Sequence, residues 1–485
     1  MSGNGLVVPD LFNVSNGVGT PGASESNFLS RSMGAYSKTT FGYKNYLYLT
    51  VSGRQDWVSI LAPENRRFFY PAAEMSLIAS DAFDFLKNSN TISYLKFRGG
   101  WSKVGQVNLG PYSLLPTFGQ ANGFPFGSNA GFTVGNTLVS KDLKPEMTAG
   151  YEGGFDLNLF NDRFTSNLTW FHTNTTNQTV STGVSGTTGF TSLRTNTGET
   201  MSEGIEVTAH VTPIQTKDLS VTVGGNYSYL TNTVVSISAD IPRLGLGGAS
   251  YAVAGQPFPI IMGFDYKRSP DGRVIVDAAT GIPQQSDTIS NLGNATAAHK
   301  LSLDGTIKYK KFTLAFLFEY RGGYNIYSAM GSSIDWSGTS WRTAQYDRMR
   351  FVFPNSVIAD PANPGKYIAN TNISVPNGNG NNGFWSDNIN RSVTSNYTHS
   401  GDFWKLRELA VSYDLPSKLL AKSKFIKGCT LSVQGRNLLV WMAPDNYYTD
   451  PEYGASGGSG GNGVGISGLQ TPPSRYYGAT VSFKF

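Results

Sequence analysis

The sequence predicts an all-β fold, a transmembrane antiparallel β-barrel with long extracellular loops, and three observations carry that expectation. The end of the chain alternates strictly: Tyr477, Ala479, Val481, Phe483 and Phe485 share one face, and Gly478, Thr480, Ser482 and Lys484 share the other, as successive side chains of a strand do. Segments with the same two-residue period recur along the chain at about 9 to 11 residues, the length a tilted strand needs to cross a bilayer. The connections between them alternate short and long, as in bacterial barrels with tight periplasmic turns and large outer loops. A soluble sandwich explains the last strand taken alone, but it has no reason to keep that rhythm.

Composition narrows the field. The 485 residues include 56 glycines, 13% aromatic and 15% charged side chains, at a mean hydropathy of −0.23. No run of about 18 apolar residues occurs, so a helical membrane protein is excluded; the richest stretch, Leu314-Ala315-Phe316-Leu317-Phe318, is far too short. A barrel tolerates such low hydropathy because only alternate residues face lipid. Cys429 stands alone, and His172, His210, His299 and His399 are scattered without metal-ligand spacing, so no disulfide, metal or other cofactor is expected. A net charge of +5 without basic runs speaks against a nucleic-acid partner. No Gly-x-Ser-x-Gly elbow sits between a strand and a helix, and no catalytic residue is expected. The run Gly457-Gly458-Ser459-Gly460-Gly461 lacks the Lys and helix of a phosphate cradle and reads as flexible outer loop.

The elements follow in order. Residues 35–43 and 46–54 flank the turn Lys44-Asn45, and 68–78 and 93–101 are joined through 84–91. Asn161-Asp162 separates 148–160 from 163–173, and a segment opening on Pro213 separates 204–212 from 219–230. Residues 302–310 give the cleanest strand: Leu303, Gly305, Ile307 and Tyr309 oppose Ser302, Asp304, Thr306, Lys308 and Lys310. Lys310-Lys311 then turns straight into Phe312, Leu314, Phe316, Phe318 and Tyr320, a hairpin with one apolar face. Residues 403–415, 430–440 and 476–485 complete about 13 spanning candidates, with Tyr and Trp near their ends as interface girdles require. The long connections are 104–146, 231–300, 322–402 and 441–475.

Within 231–300, residues 258–264 read as a strand, but spanning there would put a short turn on the wrong side, so it is assigned to an outer loop. The adjoining 271–277 lacks the ligands of a calcium loop and reads as a Gly-bearing turn. The same parity sends the first strand downwards, with residues 1–30 outside. Met1 is followed by Ser2-Gly3-Asn4-Gly5 rather than an export signal. Single-chain bacterial barrels have even strand counts, and an unpaired edge in lipid leaves backbone groups unsatisfied. The expectation is therefore the C-terminal portion of a larger barrel domain, spanning residues 1–485.

Particular stretches carry a recognisable pattern. They are Phe69-Tyr70-Pro71-Ala72-Ala73-Glu74-Met75-Ser76, residues 92–102, Leu143-Lys144-Pro145-Glu146 leading into Gly153-Gly154-Phe155-Asp156-Leu157, and Asn196-Thr197-Gly198 before Gly204-Ile205-Glu206. Further on come Phe403-Trp404-Lys405-Leu406-Arg407-Glu408-Leu409 and Gly435-Arg436-Asn437-Leu438 ahead of Asp450-Pro451-Glu452. In their order and spacing these stretches resemble the SusC/RagA family of TonB-dependent outer-membrane transporters, and the resemblance implies a plugged barrel of roughly 22 strands in the outer membrane, importing oligosaccharides or peptides under a SusD-like surface lipoprotein lid. Neither the plug nor a carboxypeptidase-like N-terminal domain is recognisable, so the TonB complex would be reached only through a missing N-terminal part. The resemblance also makes Tyr477, Val481, Phe483 and Phe485 the signal read by the barrel-assembly machinery. The alternative from another class is a secreted or surface-attached β-rich adhesin that binds glycans without transport.

The candidate ligand-binding residues lie on outer loops: Trp336, Trp341, Tyr346, Trp385 and Tyr447 accompany Asp335, Arg342 and Asp347. Flat aromatic faces stack on sugar rings or apolar ligand faces while charged neighbours fix orientation. The competing reading has the same residues packing the loops against each other or against the lipoprotein. Asp304, Lys308, Glu319, Arg321 and Arg436 are expected to face the lumen and to find counterparts in the missing domain or in water.

Overall fold

Tight turns build the wall. Lys44 and Asn45 adopt left-handed φ of 47° and 61°, in a turn closed by the Tyr46 N–H on the Tyr43 carbonyl at 3.2 Å. Asn161 and Asp162 do the same at 54° and 62°. Left-handed turn pairs carry the twist that antiparallel strands require.

The computed structural model describes residues 5–13, 16–18, 27–121, 124, 126, 129–238, 241–376, 383–420, 425–448, 450–452, 464–468 and 473–485. The run Gly457-Gly458-Ser459-Gly460-Gly461 and Met1 to Asn4 lie outside them. Thirteen strands pair antiparallel, each with the next: β1 (Ser32–Tyr43), β2 (Leu47–Val58), β3 (Arg67–Ile78), β4 (Ile92–Gln106), β5 (Glu146–Leu159), β6 (Phe164–Gly183) and β7 (Ser192–Gln215), then β8 (Leu219–Ser236), β9 (His299–Tyr309), β10 (Phe312–Gly322), β11 (Phe403–Asp414), β12 (Gly428–Met442) and β13 (Tyr476–Lys484). The sheet is a continuous meander, open between β1 and β13. All of the expected spanning segments are strands of it.

Register makes one face of this sheet apolar. Val481 pairs with Leu431, Leu431 with Tyr413, Tyr413 with Phe312, Phe312 with Tyr309 and Tyr309 with Leu219. Val481, Leu431, Phe312 and Tyr309 are 43–53% exposed, and so continuous an exposed apolar row belongs against lipid. Gly305 faces Phe316 across the hairpin, where a Cβ would lie 2.4 Å from the Phe316 ring; only glycine admits that ring. In β11 Arg407 is an extra residue relative to β10, while β12 sets two residues, Asn437 and Leu438, opposite it, so the pairing shifts with both neighbours. Trp404 and Leu406 share the apolar face before this bulge, and Leu409, Val411 and Tyr413 share it after, so the lipid side survives the insertion.

Several strands run further outward than expected, β6 to Gly183, β7 from Ser192 and β8 to Ser236. Residues such as Asn174, Thr175, Thr176, Asn177, Gln178 and Thr179 are polar in both parities, so above the lipid the two-residue signal vanishes while the hydrogen bonding continues.

The outer loops hold most of the buried residues. Residues 237–298 form a small sheet of Arg243–Gly247, Ser250–Val253, Ile260–Tyr266 and Gln285–Asn294, which places the 258–264 stretch in a loop as its parity requires. Gly272 occupies the expected turn at φ 85°. Val274–Ile275 pairs with Ser356–Ala359, and Asn325–Ser328 pairs with both Thr398–Ser400 and Ile466–Ser467, stitching three loops together. Among the described residues no helix is long and apolar enough to cross a membrane, which leaves a strand-built span untouched.

Candidate functional site

The loop between β10 and β11 carries most of the candidate residues, and Arg342 is its centre. Its guanidinium carbon lies 4.9 Å from the Trp385 ring centroid, 5.6 Å from that of Tyr447 and 5.9 Å from that of Tyr448. It donates to the Tyr448 hydroxyl (2.5 Å) and to the Asn396 carbonyl and side-chain oxygens (3.2 and 2.6 Å). Asp335, 1% exposed, sits 3.5 Å away and accepts from Tyr448 at 2.8 Å. Burial pushes the Asp335 carboxyl up, against the restraint of Arg342 and Tyr448. Burial and Arg342 together bring the neighbouring His399 imidazole down to about 4, so it stays neutral. A guanidinium stacked on rings and paired with a buried carboxylate orients the segments it touches.

The eight candidates therefore divide. Asp335, Arg342 and Trp385 are interior to this cluster, Trp385 also packing on Phe384 at 4.9 Å between centroids. Trp336, Trp341, Tyr346 and Tyr447 remain 42–55% exposed. Trp341 meets Tyr447 edge-on at 5.3 Å, Tyr346 stacks on Phe351 at 4.4 Å, and Trp336 lies beneath Arg391 at 5.9 Å. Asp347 is exposed, on backbone at φ 53°. Tyr448, Asn396 and His399 belong to the same cluster but went unnoticed, since nothing in their spacing marks them.

A second constellation lies on the polar face of β10 and β11. Arg321, Lys405 and Arg407 gather over the buried Phe403 ring. Lys405, 3% exposed, pairs with Asp450 (2.7 Å) and Glu452 (2.5 Å); Arg407 pairs with Glu452 and Glu319; Arg321 pairs with Glu319 and with Glu452 at 3.2 Å. Burial would raise the Glu452 carboxyl, but hydrogen bonds from Arg407 and Lys405 outweigh it and bring it down to about 2. These pairs clamp the loop before β13 onto the inner wall. Counterparts for Glu319 and Arg321 thus come from the chain itself, not from a further domain. The same holds for Asp304, which meets His210 at 3.1 Å, and for Arg436, which meets Glu408 at 3.1 Å. The signal was the matched two-residue spacing of Lys405/Arg407 and Asp450/Glu452.

The other quoted stretches also meet. The Asn196 side-chain oxygen accepts from Lys144 N–H at 2.6 Å, and its amide donates to the Lys144 and Asn177 carbonyls at 3.0 and 2.7 Å, while Leu143 is 2% exposed beside Leu61 and Val139.

Against known families, residues 7–438 match the model described as TonB dependent receptor-like, beta-barrel. The chain belongs to that family. Among its relatives, TonB-dependent receptor P26 of Formosa agariphila is 22% identical over 89% of this chain and 43% of its own length. TonB-dependent receptor SusC of Bacteroides thetaiotaomicron is 28% identical over 41% of this chain and 21% of its own. A solved structure of the RagAB peptide transporter superposes with a TM-score of 0.76 at 16% identity, covering 99% of this chain and 50% of that one. The chain thus spans less than half the length of these curated relatives, and the likeness to RagAB is one of fold. As a SusC/RagA-like TonB-dependent receptor barrel it is an outer-membrane protein, and the family is one of receptors and transporters, not enzymes. That membership displaces the adhesin.

Proposed function

We propose that this chain supplies the later strands and outer loops of a SusC-like importer that takes up oligosaccharides or peptides, capped by a SusD-like surface lipoprotein. The exposed rings of Trp336, Trp341, Tyr346 and Tyr447, held on outer loops by the buried Arg342 cluster, support a ligand platform above the lumen. Flat exposed faces of this kind, with Arg342 against Tyr447 and Arg391 against Trp336, suit the apolar faces of sugar rings and of peptide side chains alike. The open edges of β1 and β13 call for further strands to complete the cylinder, roughly nine of roughly 22 on the family pattern. Energy from the TonB complex would enter through a plug supplied with those strands, and Tyr477, Val481, Phe483 and Phe485 would address the barrel-assembly machinery.

The test is the double variant Trp336→Ala/Trp341→Ala in the native organism, with growth followed on a glycan or a peptide mixture as sole carbon source. Loss of two stacking faces at about 0.5–1.5 kcal/mol each predicts ligand binding weakened roughly five- to 150-fold, at normal surface level. Unchanged affinity and uptake would count against the platform, and whichever carbon source loses uptake identifies the substrate class.

A further inference from the structure

A cavity of about 700 Å³ opens at the outer ends of β4 to β8, away from the aromatic loops. One wall carries Gln106, Gln178 and Thr200; the opposite side, contributed by the strand Arg243–Gly247 and the residues beyond it, carries Leu244, Leu246 and Phe258. Those apolar residues pack on buried Val234 and Ala252, so the roof is fixed to the wall. Glu146 lines the polar side and is 6% exposed. Its two oxygens accept from the Thr179 N–H at 2.9 Å and from the Gln106 amide at 3.1 Å, both neutral donors. Among the described residues it forms no ion pair with any Lys or Arg; Arg194 is turned to Ser181 at 3.2 Å.

A carboxylate taken out of water without a cation is costly, and a carboxylate has about four lone-pair sites, of which the two neutral donors use two. The geometry points to a binding site for a protonated primary amine on a short branched aliphatic body, the ammonium completing Glu146 and the aliphatic part lying against Leu244, Leu246 and Phe258. Among the described residues the wall offers no tryptophan or tyrosine for a sugar face, which separates this site from the platform on the β10–β11 loop. Glu146 also serves the wall itself, because Thr179 follows Asn177, at φ 58°, where the pairing of β6 with β7 is irregular. A test must therefore separate ligand binding from folding.

The native outer-membrane protein, reconstituted in lipid nanodiscs, is titrated by calorimetry with isoamylammonium and, as a body-matched control, with isoamyl alcohol. Isoamylammonium is expected to bind at least about tenfold more tightly than the alcohol, the size of a charge-assisted hydrogen bond. Glu146→Gln, which keeps an acceptor for the Thr179 N–H, should abolish that preference. Leu246→Trp, which fills the cavity without touching the carboxylate, should abolish binding of both probes at an unchanged melting temperature. Equal affinity for amine and alcohol, or an amine preference that survives both variants, would overturn the assignment. The inference borrows from the import reading only the ligand's route; because the titration reads binding alone, a negative result leaves uptake standing.

Discussion

Arg342 shows how much one side chain can organise. It touches Trp385, Tyr447, Tyr448 and Asn396 together and also balances Asp335. Arg342→Ala would leave Asp335 buried without its cation, though still accepting from Tyr448, at a cost of about 3–5 kcal/mol. The expected result is selective loosening of the β10–β11 loop, seen as faster protease cleavage within 323–402 while the barrel wall stays resistant. Arg342→Lys keeps the charge but not the planar fork or the stacking and should fall between. A wild-type cleavage pattern in the alanine variant would show that the aromatic packing suffices without the cation. Two exposed members of the set depend on the same residue, since Tyr447 adjoins Trp341 and the arginine at once.

At the scale of elements, the charged clamp and the stitched loops set a pH profile. His399 has a folded value near 4 against 6.5 unfolded, so it stabilises the loops fully above about 6.5 and progressively less as pH falls to 4. The amount at stake is on the order of 3 kcal/mol. Glu452, near 2 when folded against 4.5 unfolded, contributes fully above about 4.5 and loses that contribution as pH falls from there towards 2. Acid should therefore loosen the protein in two stages, first Thr398–Ser400 with its partner strands, then the loop before β13. Hydrogen exchange of the two segments between pH 7 and pH 3 measures this, and Glu452→Gln should bring the second stage up to neutral pH. What was legible in the sequence at this scale followed the solvent. Where one face meets lipid, as from Leu303 to Tyr309, alternation located the strand. Where both faces meet water, as around Asn174 to Thr179, the signal was gone. The clamp left only its matched spacing in the sequence, since Lys405 and Asp450 are too distant for that spacing to say they meet, and Trp385 could not be told from Trp341 because an aromatic on a loop serves a core as well as a surface.

For the whole molecule, the exposed apolar rows and the open meander make membrane residence part of the fold. The native protein should run with heat-dependent mobility on gels of the outer-membrane fraction, a compact band before boiling and a slower one after; a single unshifted band in the soluble fraction would contradict a barrel. The strands that form this wall are very unequal. β7 has 24 residues and β13 has 9, which at a rise of ~3.3 Å and a tilt of ~40° correspond to heights of ~60 Å and ~23 Å. The apolar band needs only ~25 Å. The hydrogen-bonded wall is thus cut on a slant, standing ~35 Å proud of the lipid at β7, ~20–25 Å at its neighbours β6 and β8, and falling to about the height of the apolar band at β13. The wall therefore has a tall side and a short side, and the clamped loop lies on the short one, where side-chain ion pairs rather than strand pairing hold the chain above the lipid.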